Sequence, residues 1–205
     1  MKKVLMAVVF AAFSATSVMA QSEAGSAYIK PMVGGTLTTL TKIDDAKMKF
    51  GFVGGAEFGY QVSDQFAVTA GLLATMEGAK SKSEGYIDFG FFDVKVKDLS
   101  VNTTYLNIPI MANYYVAPGL AIKAGVQPGF MIGQKIKATT SAGKVDSSDS
   151  EGYKKFDFSI PLGLSYEIDD FVIDARYNLG LTKVFKGADS KNSVIMLTVG
   201  YKIPF

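Results

Sequence analysis

Acids and bases recur at alternate positions within otherwise apolar segments of this chain: Lys30, Glu57, Glu77, Lys123, Asp157, Glu167, Asp174, Arg176 and Lys202. Carboxylates brought face to face can exchange a proton as general acid and base, and lysines and an arginine among them can line a polar conduit. The competing expectation is mutual neutralisation. Acids and bases on one inward face satisfy one another inside a space that side chains fill, because unpaired buried charge is costly. This expectation is the favoured one, with Arg176 and Asp174, two residues apart on the same face, at its centre.

Other chemistry is scarce. The chain has no His, no Cys and no Trp. Its serines have no imidazole to activate them, and disulfides, thiolate metal sites and thiol nucleophiles are excluded. The run Asp146-Ser147-Ser148-Asp149-Ser150-Glu151 is rich in oxygen ligands, but it lacks the glycine and glutamate spacing of a calcium loop and reads as solvated. No glycine cluster stands between a strand and a helix in the manner of a phosphate loop. No enzyme, metal or cofactor is expected.

The elements that must position the charged residues follow a period of two. From Phe171 to Thr182 the odd positions read Phe, Ile, Ala, Tyr, Leu, Leu; the even ones are polar or small except Val172. From Phe156 to Glu167, Phe156, Phe158, Ile160, Leu162, Leu164 and Tyr166 oppose Asp157, Ser159, Pro161, Gly163, Ser165 and Glu167. At the end of the chain Ile195, Leu197, Val199, Tyr201, Ile203 and Phe205 form an unbroken apolar face. Further alternating segments are Tyr28 to Leu37, Phe50 to Gln61, Phe66 to Glu77 (with Leu73 as its one breach), Thr104 to Val116 and Leu120 to Gly133. In the last of these Lys123, Gly125, Gln127, Gly129 and Gly133 share the polar face.

Eight alternating strands with one lipid-compatible face predict an eight-stranded antiparallel transmembrane β-barrel, because a bilayer admits only helices or closed barrels. Connections alternate too. Ser63-Asp64-Gln65, Ala117-Pro118-Gly119 and Asp169-Asp170 are tight, whereas Thr38 to Lys49, Gly78 to Val101, Lys135 to Lys155 and Lys183 to Ser193 are long and polar. In outer-membrane barrels the short turns are periplasmic and the long loops extracellular, so both termini are expected in the periplasm. Aromatic residues gather near both ends of the strands as candidate interfacial girdles. Within the second long loop, Tyr86 to Lys97 alternates loosely, as a partly ordered loop or as a hairpin continuing above the membrane.

Residues 1–20 read as a signal peptide: Lys2 and Lys3, an apolar run from Val4 to Phe13, and Val18-Met19-Ala20 before Gln21. Residues 21–205 are then one barrel domain. Taking Lys2 and Lys3 from the 21 basic residues leaves 19 against 19 acidic ones, so the processed chain is neutral and has no basic surplus for nucleic acid.

The segment Tyr105-Leu106-Asn107-Ile108-Pro109-Ile110 and the terminal Phe205 resemble the small outer-membrane β-barrel family common in Bacteroidetes-type bacteria, labelled porin family or outer membrane protein beta-barrel domain. The resemblance covers roughly Ala27 to Phe205. It implies an outer-membrane location and a C-terminal signal at Tyr201, Ile203 and Phe205 that the barrel-assembly machinery reads. It carries no catalytic motif. The expected function is a structural or surface-interaction role through the extracellular loops, with lipid around a monomeric barrel. Two alternatives stay open: a narrow small-solute porin, and a soluble lipocalin-like carrier with its apolar face inward.

Overall fold

The computed structural model describes residues 23–41, 46–81, 85–88, 93–140, 143–147, 155–183 and 190–205. The expected signal peptide and residues 148–151 of the oxygen-rich run lie outside them. Each alternating segment forms a strand. They are β1 (Ala27–Leu40), β2 (Lys49–Ser63), β3 (Phe66–Ser81), β4 (Asp93–Asn107, resuming as Ile110–Ala117), β5 (Leu120–Thr140), β6 (Phe156–Ile168), β7 (Phe171–Gly180) and β8 (Asn192–Tyr201, ending as Ile203–Pro204). Each strand pairs antiparallel with the next, and β8 pairs with β1 from Tyr28↔Pro204 to Leu40↔Asn192, so the sheet closes. Closure leaves no row of unpaired backbone groups along a sheet edge for lipid to face.

Pro109 has no N–H to give to the ladder, and the wall closes around it by other means. Gly71 N donates to Pro109 O at 2.9 Å and Ile108 N to Pro128 O at 2.8 Å, while β3 keeps one register on both sides, Leu73↔Asn107 and Ala70↔Ile110. Two of the three tight connections bend at residues in the left-handed region, Gly119 with φ 73° and Asp169 with φ 52°.

The inward and outward parities separate as the sequence predicts for most positions. Ile195, Leu197, Val199, Tyr201, Ile203 and Phe205 are all exposed on the outer wall, and Val194, Met196, Thr198 and Lys202 are buried. Leu73, the breach in its segment, is inward and fully buried with Met32, Val53 and Met196. One expectation needs correction. Gly133 does not share the inward face of Gly129. The β4–β5 register shifts between Thr104↔Gly133 and Tyr105↔Met131, and this bulge at Ile132 puts Gly133 opposite Thr104 on the outer face.

In the connection from Gly78 to Val101 the described residues are strand, and of the two readings left open for Tyr86 to Lys97 the hairpin is the one seen at Gly85–Asp88 and Asp93–Val96. β3 and β4 stay paired to Ser81↔Leu99, and Gly85–Asp88 pairs with β4 from Gly85↔Val96 to Asp88↔Asp93. Likewise β5 runs to Thr140, paired with Val96, and Gly143–Ser147 adds to its other side. A small sheet therefore continues the wall beyond the barrel at the long-loop end.

Candidate functional site: the filled lumen

Alternation carries the charged residues into the lumen, where they sort into layers. The middle layer joins β1, β2, β5 and β7. Arg176 Nη1 lies 2.6 Å from Glu57 Oε1, and its Nε lies 2.6 Å from Asp174 Oδ1. Its Nη2 donates to Asp174 Oδ2 at 2.8 Å. Lys30 Nζ is 2.9 Å from Glu57 Oε2, and Lys123 Nζ bonds Asp174 Oδ2 directly. Longer contacts of 3.9 Å link Lys30 to Asp174 and Lys123 to Glu57. Three cations thus enclose two carboxylates, all nearly inaccessible to solvent. Their side chains fit because glycine faces them. A Cβ on Gly71 would stand 2.7 Å from Glu57 Cγ, one on Gly163 3.1 Å from Arg176 Cγ, and one on Gly200 2.9 Å from Lys30 Cγ.

Toward the short turns a second layer combines Glu167 and Lys202 with two aromatics. Lys202 Nζ lies 2.7 Å from Glu167 Oε2, and Tyr115 Oη donates to Glu167 Oε1 at 2.7 Å. The same ammonium stands 4.5 Å from the centroid of the Tyr28 ring, a cation–π arrangement. Gly59 makes room for that ring, since a Cβ there would meet Tyr28 Cζ at 2.1 Å. Residue type alone does not mark Tyr28 and Tyr115 for this layer; their positions on the inward parity, two residues from Lys30 and Asn113, are the available signal.

Toward the long loops lies the apolar layer of Met32, Val53, Leu73 and Met196, and beyond it a polar region. Asn107 Nδ2 donates to Thr75 Oγ1 at 3.0 Å and to Glu77 Oε1 at 3.4 Å, and Asp157 Oδ1 accepts from Thr182. Both amide atoms of Gln134 and of Asn178 are buried without a hydrogen-bond partner among the described residues, as is Glu77 Oε2. The lumen therefore brings Lys30, Glu57, Lys123, Asp174 and Arg176 together, sets Glu167 and Lys202 apart on one side, and sets Glu77 and Asp157 apart on the other.

The C-terminal residues stitch the closing seam. Phe205 N donates to Ala27 O at 3.1 Å and the Phe205 ring packs 5.9 Å from that of Phe58. Tyr201 Oη donates to Asp170 Oδ2 at 3.0 Å, and Ile203 pairs with Ile29. Among the described residues no group of three or more potential ligands gathers around a metal site, and no helix is long and apolar enough to cross a membrane.

Comparison with known proteins agrees with this architecture. A solved structure of Neisserial surface protein A is similar in fold, with a TM-score of 0.54 at 11% identity, covering 85% of this chain and 97% of that one. Ail, the attachment invasion locus protein of Yersinia pestis, aligns with a TM-score of 0.49 at 16% identity over 88% of this chain and 99% of that one. No curated protein matches the sequence. The model of the outer membrane protein beta-barrel domain matches residues 9–186. The chain belongs to that family and forms a closed, eight-stranded antiparallel barrel of the bacterial outer membrane.

Proposed function

We propose that this barrel is a membrane-anchored platform whose work is surface interaction at its long-loop end, and that its lumen is a core rather than a path. In this reading the short turns and both termini are periplasmic, residues 1–20 are removed as a signal peptide, and the barrel stands as a monomer in lipid. The assembly machinery recognises Tyr201, Ile203 and Phe205. The observation that carries the reading is the continuation of β-pairing past the barrel: Val96↔Thr140 joins the extended β4 and β5, flanked by Gly85–Asp88 and Gly143–Ser147. A chain that needed only to close a pore would have no use for this sheet. The charge layer and the apolar layer beneath it supply the filled interior expected of eight strands.

Trypsin applied to intact cells is expected to cut at lysines between Lys80 and Lys97, leaving the barrel protected until it is unfolded. Cleavage there only after cell lysis would reverse the orientation. Large, stable single-channel conductance of the purified protein would favour the small-solute porin, and recovery as a detergent-free periplasmic monomer would favour the soluble carrier.

A further inference from the structure

Toward the long loops the lumen holds two acids with no base against either. Glu57, Asp174 and Glu167 each have a cation within ion-pair distance. Among the described residues Glu77 and Asp157 have none, although both are buried, at 5% and 8% exposure. A buried carboxylate without a counter-charge is costly. Two of them on the long-loop side of the apolar layer call for positive charge from outside the chain.

A cavity of about 440 Å³ lies over Glu77, within the range of roughly 300 to 1,000 Å³ common for small-molecule sites. It is bordered by β2, β3, β4 and β5, four neighbouring strands that are concave toward the lumen. On that inner face Glu77 pairs with Thr103 and Thr103 with Gln134, so the three residues form one row. Gly51 puts no side chain on the β2 side of it. Glu77 Oε2 and both amide atoms of Gln134 are unpartnered there among the described residues, where buried polar atoms are ordinarily bonded. The second acid is reached through Asn107. Its Nδ2 donates to Glu77 Oε1 at 3.4 Å, its Oδ1 fills the place that a Cβ on Gly129 would take, and Gly129 is the ladder partner of Asp157. Directly opposite residues have Cβ atoms about 5 Å apart, so Asn107 stands between the two carboxylates. Lys49, the lysine of the inner border, lies one inward position nearer the loops than Gly51 and gives its Nζ to Asn102 Oδ1.

We propose that this cavity binds a short aliphatic diamine as its dication, one ammonium on Glu77 Oε2 and Gln134 Oε1 and the other on the Asp157 side of Asn107. An ammonium carries three donors and no acceptor, which suits a border of carboxylate and amide oxygens. Two separated negative charges match two positive charges joined by a short chain. A single calcium or magnesium ion would instead need several oxygens converging on one point, and among the described residues no three acids gather in that way. The apolar layer of Met32, Val53, Leu73 and Met196 lies on the short-turn side, so binding here requires no passage through the lumen and does not depend on the surface-interaction reading.

The test uses the full chain purified in detergent and equilibrium dialysis against radiolabelled 1,4-diaminobutane at low ionic strength. The parent should bind one diamine per barrel, at least tenfold more tightly than it binds n-butylamine. Glu77→Gln and Asp157→Asn, which keep the side-chain shape, should each weaken binding at least tenfold. Gln134→Lys, which tethers an ammonium beside Glu77, should abolish binding and raise the urea midpoint. Glu23→Gln, at an exposed acid before β1, should change neither. No binding by the parent, or full binding by the double variant Glu77→Gln with Asp157→Asn, would overturn the proposal. Displacement of the diamine by equimolar calcium would also overturn it, in favour of an inorganic cation, and so would loss of binding in Lys49→Gln, in favour of an anion. Heat-modifiable migration of each variant establishes that it is folded, and Gln134→Lys carries the test should an acid variant not fold.

Discussion

Arg176 on β7 reaches Glu57 on β2 across the lumen at 2.6 Å, with β8 and β1 lying between the two strands along the wall. The same guanidinium grips Asp174 on its own strand through two nitrogens. A single side chain thus fixes the distance between opposite walls, in a space from which water is nearly excluded.

Removing it is expected to cost more than removing either lysine of the layer. Arg176→Ala forfeits all of its close contacts to both carboxylates, whereas Lys123→Ala forfeits one direct contact and one at 3.9 Å. Breaking a buried ion network by deleting one partner costs about 3 to 5 kcal/mol. Urea unfolding of the two variants in lipid vesicles should place the midpoint of Arg176→Ala below that of Lys123→Ala. Equal midpoints would remove Arg176 from the centre of the network.

The sign of the layer gives a second prediction. Lys30, Lys123 and Arg176 face Glu57 and Asp174, so the layer carries one excess positive charge. Replacing Lys30 by Met, which keeps most of the side-chain volume, brings the count to balance, while Glu57→Gln raises the excess to two. Glu57→Gln should therefore lower the unfolding midpoint more than Lys30→Met, although it changes the side-chain shape less. The reverse order would show that packing, not charge balance, dominates in the layer.

The charged residues were legible in the sequence because a strand has a period of two, so one choice of parity sends Lys30, Glu57, Lys123, Asp174 and Arg176 inward together. Their grouping into one layer was not legible. It depends on the stagger between strands, which sets Lys30 opposite Glu57 and Gly163 opposite Arg176. Alternation puts Gly133 on the wrong face for a related reason: a bulge reverses parity without leaving a mark that alternation alone reveals. The sheet beyond the barrel is only half legible, since the residues from Lys80 to Lys97 resemble a loop in composition while Lys80, Ser81, Gly85–Asp88 and Asp93–Val96 are paired. Lys49 closes a stretch that is loop-like in composition, yet it already belongs to β2, opposite buried Thr38.

Phe205 gives a prediction about assembly. Its amide closes the last bond to Ala27 and its ring packs against Phe58, at the seam where β8 meets β1. Deleting Phe205 should lower the amount of heat-modifiable, folded barrel in outer membranes, while the chain still reaches the periplasm. An unchanged folded yield would make the terminal residue dispensable for closure.

Three layers fill the lumen in series, the apolar one at Leu73, the charged one at Arg176 and the one of Tyr28, Tyr115, Glu167 and Lys202 toward the short turns, and they can be separated by conductance. The apolar layer centred on Leu73 holds no charge, and Leu73→Ala should cost about 2 to 5 kcal/mol of stability through the cavity it leaves. It should open no path, because Lys30, Glu57, Lys123, Asp174 and Arg176 still occupy the next layer toward the short turns. Adding Glu57→Ala and Arg176→Ala removes a bonded pair of opposite sign and leaves Lys30 and Lys123 against Asp174. With Tyr28→Ala and Tyr115→Ala added to clear the layer toward the short turns, the barrel in planar bilayers should then show a small leak selective for anions, while the parent, Leu73→Ala and the triple variant conduct negligibly. A leak from Leu73→Ala alone would make the apolar layer the seal, and a cation-selective leak from the fully cleared variant would contradict the excess positive charge assigned to the middle layer.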